Sequence, residues 1–102
     1  MKYRVIYTET AVTAIDDQAT YLEEEGCPAD RMARWFAELL DTIDGLEKFP
    51  KRNAMAEFES SRLGFEVRRL VFGDHLVFYR VNEDDKIVEV LSFRHAARRP
   101  PQ

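Results

Sequence analysis

The residues best suited to chemistry in this sequence are basic and lie in its last third. They are Arg68, Arg69, His75, Tyr79, Arg80, Arg94, His95, Arg98 and Arg99. Arginine guanidinium groups bind anions through parallel hydrogen bonds, and histidine exchanges a proton near neutral pH. Four of these residues fall within the segment 93–100, directly after a predicted strand. This arrangement predicts an anion site suited to a phosphodiester or to a carboxylate-rich partner.

Three of the arginines in the predicted strands also have a purely structural interpretation. Arg68, Arg69 and Arg80 can point outward from the sheet and form ion pairs with Glu66 or Glu89 across it. Both interpretations remain open for each of these arginines. The basic tail is harder to explain by pairing within the sheet, because it follows the last strand.

Other kinds of site lack the residues that they need. The only serines are Ser60, Ser61 and Ser92, and none of them stands in the Gly-x-Ser-x-Gly turn of a hydrolase. Cys27 is the only cysteine, and together with the two histidines it shows no metal-ligand spacing. The sequence also has no glycine-rich loop of the kind that cradles phosphates. We therefore expect no metal and no cofactor.

Length and charge limit the class of protein. A chain of 102 residues and 12.0 kDa predicts a single domain, residues 1–102, without room for a large cofactor cavity. The formal charge of −4 argues against nonspecific binding to nucleic acid. That average hides a split, since residues 1–61 hold 7 basic and 13 acidic residues whereas residues 62–102 hold 8 and 6. A focused basic site in the second part is therefore compatible with the acidic average.

The sequence also indicates a compartment. A single cysteine cannot form an intrachain disulfide, which is typical of a reducing environment. The first residues lack the apolar stretch of a signal peptide, and no run approaches the roughly 18 apolar residues of a membrane span. We expect a cytoplasmic protein with no membrane segment.

The elements that position these residues begin with a strand and a helix. Residues 3–8 are β-branched and aromatic, which predicts a strand that begins almost at the first residue. Thr8 or Thr10 can cap a helix that carries one apolar stripe, runs to about Glu25 and stops at Gly26.

A second helix is predicted to begin at Pro28 and to be stopped by Pro50, shortly after Phe49. Its apolar stripe comprises Met32, Phe36, Leu39, Ile43 and Leu46. The two helices therefore form an antiparallel hairpin. Residues 51–63 show no clear period and predict a connector that includes one turn of helix.

Three strand-like runs follow, at residues 65–72, 75–81 and 86–93. Short polar turns separate them, which predicts an antiparallel meander whose last two strands are central. The first strand is expected at an edge, because only the meander strands are joined by short loops. The predicted fold class is α+β, with the order β-α-α-β-β-β and a helical hairpin packed on an antiparallel sheet.

This order of elements, together with several motifs, resembles the RelE/ParE superfamily, the toxin subunits of bacterial type II toxin–antitoxin pairs. The motifs are YRVIYT (3–8) leading into AVTAI (11–15), EVRRL (66–70), LVFYRV (76–81), VEVL (88–91) and HAAR (95–98). The resemblance covers nearly the whole chain. It implies a role in growth inhibition and plasmid stabilization.

The resemblance leaves two activities open. The RelE-like branch consists of ribosome-dependent mRNA endoribonucleases, and it implies Arg68, His75, His95 and Arg98 as catalytic candidates. The ParE-like branch poisons DNA gyrase and is not known as a nuclease, so the enzymatic status depends on the branch. The ending from His95 to Arg98 favours the ParE-like branch. The absence of a tyrosine after Tyr79 also favours it.

The surface expected to bind the target comprises Arg68, Arg69, Arg80, Arg94, His95, Arg98 and Arg99. The sequence does not decide between gyrase and the ribosome with its mRNA as that target. A toxin-like fold that serves as a non-toxic binding module is a third possibility.

The resemblance also implies a cognate antitoxin as a partner. A disordered antitoxin segment that folds across an apolar groove buries a large surface at an entropic cost. We expect Trp35, Phe58, Phe65 and Phe72 to line that groove. Two interpretations of Trp35 remain open, an aromatic residue at the edge of the core and a binding anchor.

Overall fold

The computed structural model describes residues 2–97, and within them three α-helices pack on a four-stranded sheet. The elements are β1 Arg4–Tyr7, α1 Glu9–Glu24, α2 Ala29–Asp44, α3 Glu57–Leu63, β2 Arg68–Phe72, β3 His75–Asn82 and β4 Ile87–His95. Short 3-10 turns at Gly45–Glu47 and Pro50–Arg52 follow α2. No helix in this part of the chain has the length and apolarity to cross a membrane. The α+β prediction is confirmed, with α3 as an additional element.

The sheet has the order β1-β4-β3-β2, so β1 lies at an edge and β3 and β4 are central, as predicted. The pairs β2–β3 and β3–β4 are antiparallel, whereas β1 runs parallel to β4. The sheet is therefore mixed, and the prediction of an antiparallel sheet was wrong for β1. Two backbone hydrogen bonds anchor the start of β1, from Tyr3 to the carbonyl of Glu47 and from Arg4 to the carbonyl of Lys86, both 2.8 Å. The two strands therefore begin at the same end of the sheet, which makes them parallel.

Thr8, and not Thr10, caps the first helix. The Thr8 hydroxyl accepts a hydrogen bond from the backbone N–H of Ala11 (3.1 Å) and donates one to the carbonyl of Leu91 (3.0 Å). One side chain thus caps α1 and ties the helix to β4. Gly26, with φ of 83°, follows the end of α1 and allows the chain to turn into α2.

The second helix ends earlier than its apolar stripe predicts. Regular helix stops at Asp44, and the chain continues as a 3-10 turn that begins at Gly45. Leu46 is buried in that turn, so the stripe continues although the α-helix does not. The chain then reverses at Phe49, whose φ of 52° is left-handed, and Pro50 begins the next turn. The prediction of a helix to about Phe49 was wrong for this reason.

The connector holds more structure than its sequence indicates, because Glu57–Leu63 forms the two-turn helix α3. Ser60 fastens this helix to the chain that leads into β2. Its hydroxyl accepts from the backbone N–H of Val67 (2.8 Å) and donates to the Val67 carbonyl (3.2 Å). The N–H of Ala56 also donates to that carbonyl (2.8 Å). These bonds delay the start of β2 to Arg68, three residues later than predicted.

The core occupies both faces of the sheet. On the face toward α1 and α2 the buried side chains are Ala11, Ile15, Leu39, Ile43, Leu46, Val77, Tyr79, Val88, Val90 and Phe93. On the opposite face Ala56, Val67 and Phe78 form a smaller cluster. A bulge between Phe78 and Tyr79 shifts the β3–β4 register. We name the side of the sheet that packs against α1 and α2 the hairpin face, and the opposite side the α3 face.

Candidate functional site

The structure brings two of the predicted site residues together at one end of the sheet. His75 opens β3, and His95, which closes β4, lies directly opposite it in the antiparallel register. Their ring centroids are 5.1 Å apart in an edge-to-face arrangement. His75 is buried and stacks on Phe93 at 4.8 Å, whereas the Nδ1 of His95 accepts a hydrogen bond from the N–H of Ala97 (3.1 Å). This histidine pair lies on the hairpin face of the sheet.

Arg94 is next to His95 in the sequence but lies on the α3 face, because successive strand residues point to opposite sides. Its guanidinium is 3.6 Å from the carboxylate of Glu59, a buried residue of α3. The same guanidinium lies 5.0 Å from the ring centroid of Phe78. The charge of Arg94 is thus engaged between α3 and the sheet.

Arg68 connects β2 to the segment between α2 and α3. Its Nη1 donates to the backbone carbonyls of Lys51 (2.9 Å) and Asn53 (2.6 Å), and its Nη2 is 3.0 Å from the carboxylate of Glu66. Only 16% of the side chain is exposed. These contacts are those of an arginine that stabilises the fold.

The other two strand arginines lie on the α3 face. Arg80 is 3.6 Å from the carboxylate of Glu89, and its guanidinium lies 4.6 Å from the ring centroid of Phe65. Arg69 pairs with Phe78 in the register and is exposed. The ion pairs of the structural interpretation are therefore present for Arg68 and Arg80, and Arg69 faces solvent. The remaining predicted target-binding residues, Arg98 and Arg99, lie outside the described residues.

The four predicted antitoxin contacts do not form one groove. Trp35 and Phe72 meet on the hairpin side with ring centroids 6.2 Å apart, and Trp35 also contacts the rings of His75 and Phe93. Trp35 is partly buried, as expected of an aromatic residue at the edge of the core. Phe65, by contrast, lies on the α3 face against Arg80. The large exposed apolar residues of α3 and its flanks are Met55, Phe58, Leu63 and Phe65.

Tyr79, grouped with the basic cluster on sequence grounds, is a buried structural residue. Its hydroxyl donates to the carbonyl of Pro50 and accepts from the side-chain amide of Asn53 (3.0 Å). Burial raises the pKa of this hydroxyl above its usual value, and the hydrogen bond from Asn53 and the charge of Arg68 partly oppose that rise. The residue holds the segment after α2 against the sheet.

A second concentration of basic residues was missed by the sequence analysis. It surrounds a pocket of about 520 Å³ lined by Lys2, Tyr3, Lys48, Phe49, Pro50, Lys51, Arg52 and Lys86, which we name the basic pocket. Its lining comes from three separate stretches of chain, two of them inside the part whose overall charge is acidic. A signal for this pocket is present in the sequence as the basic run at residues 48–52, KFPKR.

Glu83 lies beside this pocket and pairs with two of its lysines. Its carboxylate accepts hydrogen bonds from Lys86 (3.1 Å) and from the hydroxyl of Tyr3 (3.0 Å), and it lies 3.0 Å from the ammonium of Lys51. Hydrogen bonds from Lys51, Lys86 and Tyr3 lower the pKa of Glu83 to about 2. Within residues 2–97 no group of three or more His, Cys, Asp or Glu side chains could hold a metal ion.

The fold is that of chains in two solved toxin–antitoxin complexes. One is the archaeal RelE-RelB complex from Pyrococcus horikoshii OT3, with a TM-score of 0.55 and 24% identity, covering 97% of this chain and 100% of that one. The other is the toxin–antitoxin complex RelBE2 from Mycobacterium tuberculosis, with a TM-score of 0.60 and 18% identity, covering 93% and 99%. These similarities establish the class of fold.

The sequence comparison assigns the chain to a narrower group than the fold does. Residues 5–100 match the family described as ParE toxin of type II toxin-antitoxin system, parDE. Because the match spans nearly the whole chain, this protein belongs to the ParE toxin family within the RelE/ParE superfamily. No curated protein matches it significantly in sequence.

Proposed function

We propose that this chain is a growth-inhibiting toxin that acts on DNA gyrase in the cytoplasm and is neutralised by a cognate antitoxin. The observation that carries this proposal is the ParE toxin family match over residues 5–100. The matched region includes both the sheet and the ending from His95 to Arg98, where the sequence predicts target contacts. Of the predicted target contacts within the described residues, Arg69 is the exposed arginine, and His95 is the last residue of β4 and is partly exposed.

The engaged arginines weigh against the alternative, a ribosome-dependent mRNA endoribonuclease. Cleavage by the 2′-hydroxyl needs a base, an acid for the leaving group and cations for the charge on the pentavalent phosphate. Arg68 is held by two backbone carbonyls and Arg94 by Glu59, so neither cation is directed at a substrate. One observation favours the ribonuclease, namely the contact between His75 and His95, which resembles an acid–base pair.

An antitoxin partner fits the apolar surface of the protein. Phe58 and Phe65 are 48% and 37% exposed, and with Met55 and Leu63 they give α3 and its flanks an exposed apolar surface, a feature of interaction sites. Phe58 and Phe65 remain our proposed antitoxin contacts. Trp35 and Phe72 pack against the core, so they can contribute only to the edge of an antitoxin interface. Both toxin–antitoxin complexes of similar fold are consistent with a partner of this kind.

Controlled expression in bacteria tests the proposal. We expect induction of the chain alone to stop growth with a DNA-damage response, and the purified protein to inhibit supercoiling by gyrase. Co-expression of the neighbouring gene should restore growth. Cleavage of mRNA in a translating extract, with gyrase unaffected, would assign the ribonuclease function instead. A chain that leaves growth, gyrase and mRNA unchanged but forms a stable partner complex would be a binding module.

Charge reversal in the tail separates target binding from folding. The double variant Arg98→Glu/Arg99→Glu should raise the concentration needed for half-inhibition by about tenfold or more, equivalent to about 1.4 kcal/mol. The matched control Arg31→Glu/Arg34→Glu makes the same charge change on the exposed side of α2. Reversal of Arg68 is a poor test, because it removes the hydrogen bonds to the segment after α2.

A further inference from the structure

The basic pocket lies at the end of the sheet opposite to the histidine pair. Lys86 precedes β4 and Asn82 ends β3, whereas His75 and His95 mark the other ends of these strands. Seven residue steps of β3 correspond to about 23 Å at roughly 3.3 Å per residue. We propose that this pocket binds a nucleotide, with the phosphates on its basic side chains and the base stacked on Phe49. The proposal does not rest on the gyrase function.

The size and lining of the pocket fit a small organic anion. Its volume of about 520 Å³ lies within the range of roughly 300 to 1,000 Å³ that is usual for small-molecule sites. The rings of Tyr3, Phe49 and Pro50 contribute apolar wall, and basic side chains contribute the charge. An apolar wall beside a few charged groups is the usual construction of a small-molecule site.

The pocket carries a surplus of positive charge. Five of its lining residues are lysine or arginine, and two carboxylates, Glu83 and Glu47, pair with members of this set. Within the described residues, Lys48 and Arg52 have no carboxylate at ion-pair distance. A ligand with two or more negative charges would neutralise this surplus. Phosphate groups supply that charge at one point.

Phe49 is the pocket residue whose exposed side chain the core does not explain. Its side chain is 75% exposed, so it contributes little to the core. Its backbone is left-handed, a conformation that is unfavourable for an L-residue. Backbone strain of this kind persists where the surrounding structure imposes it, and it is common at binding sites. Here the Tyr79 hydroxyl donates a hydrogen bond to the carbonyl of Pro50, the residue that follows Phe49.

An exposed ring beside several cations is the arrangement on which nucleic-acid bases stack while their phosphates are neutralised. An acidic peptide is the competing ligand, since it also carries negative charge. Its carboxylates are spaced along an extended chain, one to a residue, whereas the basic pocket collects its cations around one cavity and one ring. A nucleotide has the matching distribution, with clustered charge next to a single planar base.

Titration of the full-length chain with defined ligands tests the proposal. We expect ATP and GTP to bind, and adenosine and inorganic triphosphate each to bind at least about tenfold more weakly. A 5′-phosphorylated single-stranded oligonucleotide distinguishes the two sources of a nucleotide. Binding of the oligonucleotide without free nucleotide would place the end of a strand in the pocket and support the proposal. Binding of a glutamate-rich peptide without any phosphorylated ligand would overturn it, as would no binding at all.

Substitutions locate the binding. Lys48→Glu/Arg52→Glu should weaken ATP binding by about tenfold or more, whereas the matched control Arg31→Glu/Arg34→Glu should leave it unchanged. Glu83→Gln should tighten binding, because it releases Lys51 and Lys86 from their carboxylate partner.

Phe49→Ala should reduce the advantage of ATP over inorganic triphosphate. Equal affinities in Lys48→Glu/Arg52→Glu, Phe49→Ala and the unmodified chain would overturn the proposed site. Thermal melting of each variant confirms that it is folded.

Discussion

Arg68 illustrates how the contacts of a residue decide its role when its type allows several. Its sequence neighbours make it either an anion ligand or an ion-pair partner of Glu66. In the structure it also donates to the carbonyls of Lys51 and Asn53, which lie 17 and 15 residues earlier in the chain. No periodicity in the sequence indicates hydrogen bonds between residues so far apart in the chain. The arginine therefore stabilises the segment that forms the basic pocket.

The Tyr79 hydroxyl also joins residues that are far apart in the chain, and its hydrogen bonds contribute to the free energy of unfolding. The change Tyr79→Phe leaves the carbonyl of Pro50 and the amide of Asn53 without their hydrogen-bond partner. We expect the free energy of unfolding to fall by about 1 to 3 kcal/mol, as measured by urea denaturation. The control is Tyr21→Phe, because the Tyr21 hydroxyl is exposed and 3.5 Å from its acceptor on Glu25. Equal midpoints for the two variants would contradict this role.

Glu83 makes the stability of the protein depend on pH in acid. The folded state lowers the pKa of this carboxyl from 4.5 to about 2, so between these values the unfolded chain binds more protons. The contribution of Glu83 is therefore complete above pH 4.5 and is lost as the pH falls toward 2. We expect the stability difference between the unmodified chain and Glu83→Gln to shrink across this window in urea titrations.

The exposed neighbour Asp84 supplies the control for this titration. A stability difference for Asp84→Asn that followed the same pH dependence would show that general surface charge, and not the contacts of Glu83, is responsible. High salt should reduce the Glu83 effect, since exposed ion pairs are screened.

At the scale of elements, α3 is a helix whose buried face cannot be predicted from its apolar residues. Its large apolar residues Phe58 and Leu63 are exposed, whereas the charged residue Glu59 is buried against Arg94. The usual rule that the apolar face of a helix packs inward is reversed here. The helix is held instead by polar contacts at Ser60 and Glu59, which a hydropathy pattern does not register.

The attachment of α3 depends on Ser60. The change Ser60→Ala removes both side-chain hydrogen bonds to Val67 and leaves its buried backbone without these partners. We expect a loss of about 1 to 3 kcal/mol and faster amide hydrogen exchange confined to α3 and the residues before β2. Ser61→Ala is the matched control, because Ser61 is exposed on the same helix. Unchanged exchange in the Ser60 variant would show that packing alone holds α3.

At the scale of the whole molecule, the two charge halves of the sequence do not correspond to two surfaces. Lys48, Lys51 and Arg52 belong to the acidic first part, yet they meet Lys86 of the second part around one pocket. His75, in turn, contacts the rings of Trp35 from α2 and Phe93 from β4. Charge counted along the chain therefore indicates that basic sites are possible but does not locate them.

The main core joins the helical hairpin to the sheet, which predicts cooperative unfolding. The single tryptophan, Trp35, contacts Phe72, His75 and Phe93 across that boundary. We expect its fluorescence and the far-UV circular dichroism to report the same urea midpoint, as in a two-state transition. Distinct midpoints would mean that the hairpin and the sheet unfold separately.

Much of the fold follows from local pattern. The β-branched and aromatic runs of the strands, the helix stop at Gly26 and the short turns of the meander were sufficient to predict the order of the elements other than α3 and the edge position of β1. The motifs were also sufficient to indicate the family, which the match over residues 5–100 confirms. These features are local because they depend on backbone preference and on the period of apolar residues.

The tertiary structure alone decided the direction of β1, the end of α2, the left-handed turn at Phe49 and the residues that share a site. Each of these depends on a contact between residues far apart in sequence, such as Tyr3 with Glu47 or Tyr79 with Pro50. Residue types and spacing predicted that basic side chains would form a site for an anionic target. Only the packing of the chain determined which of them stabilise the fold and which remain at a surface where a ligand can reach them.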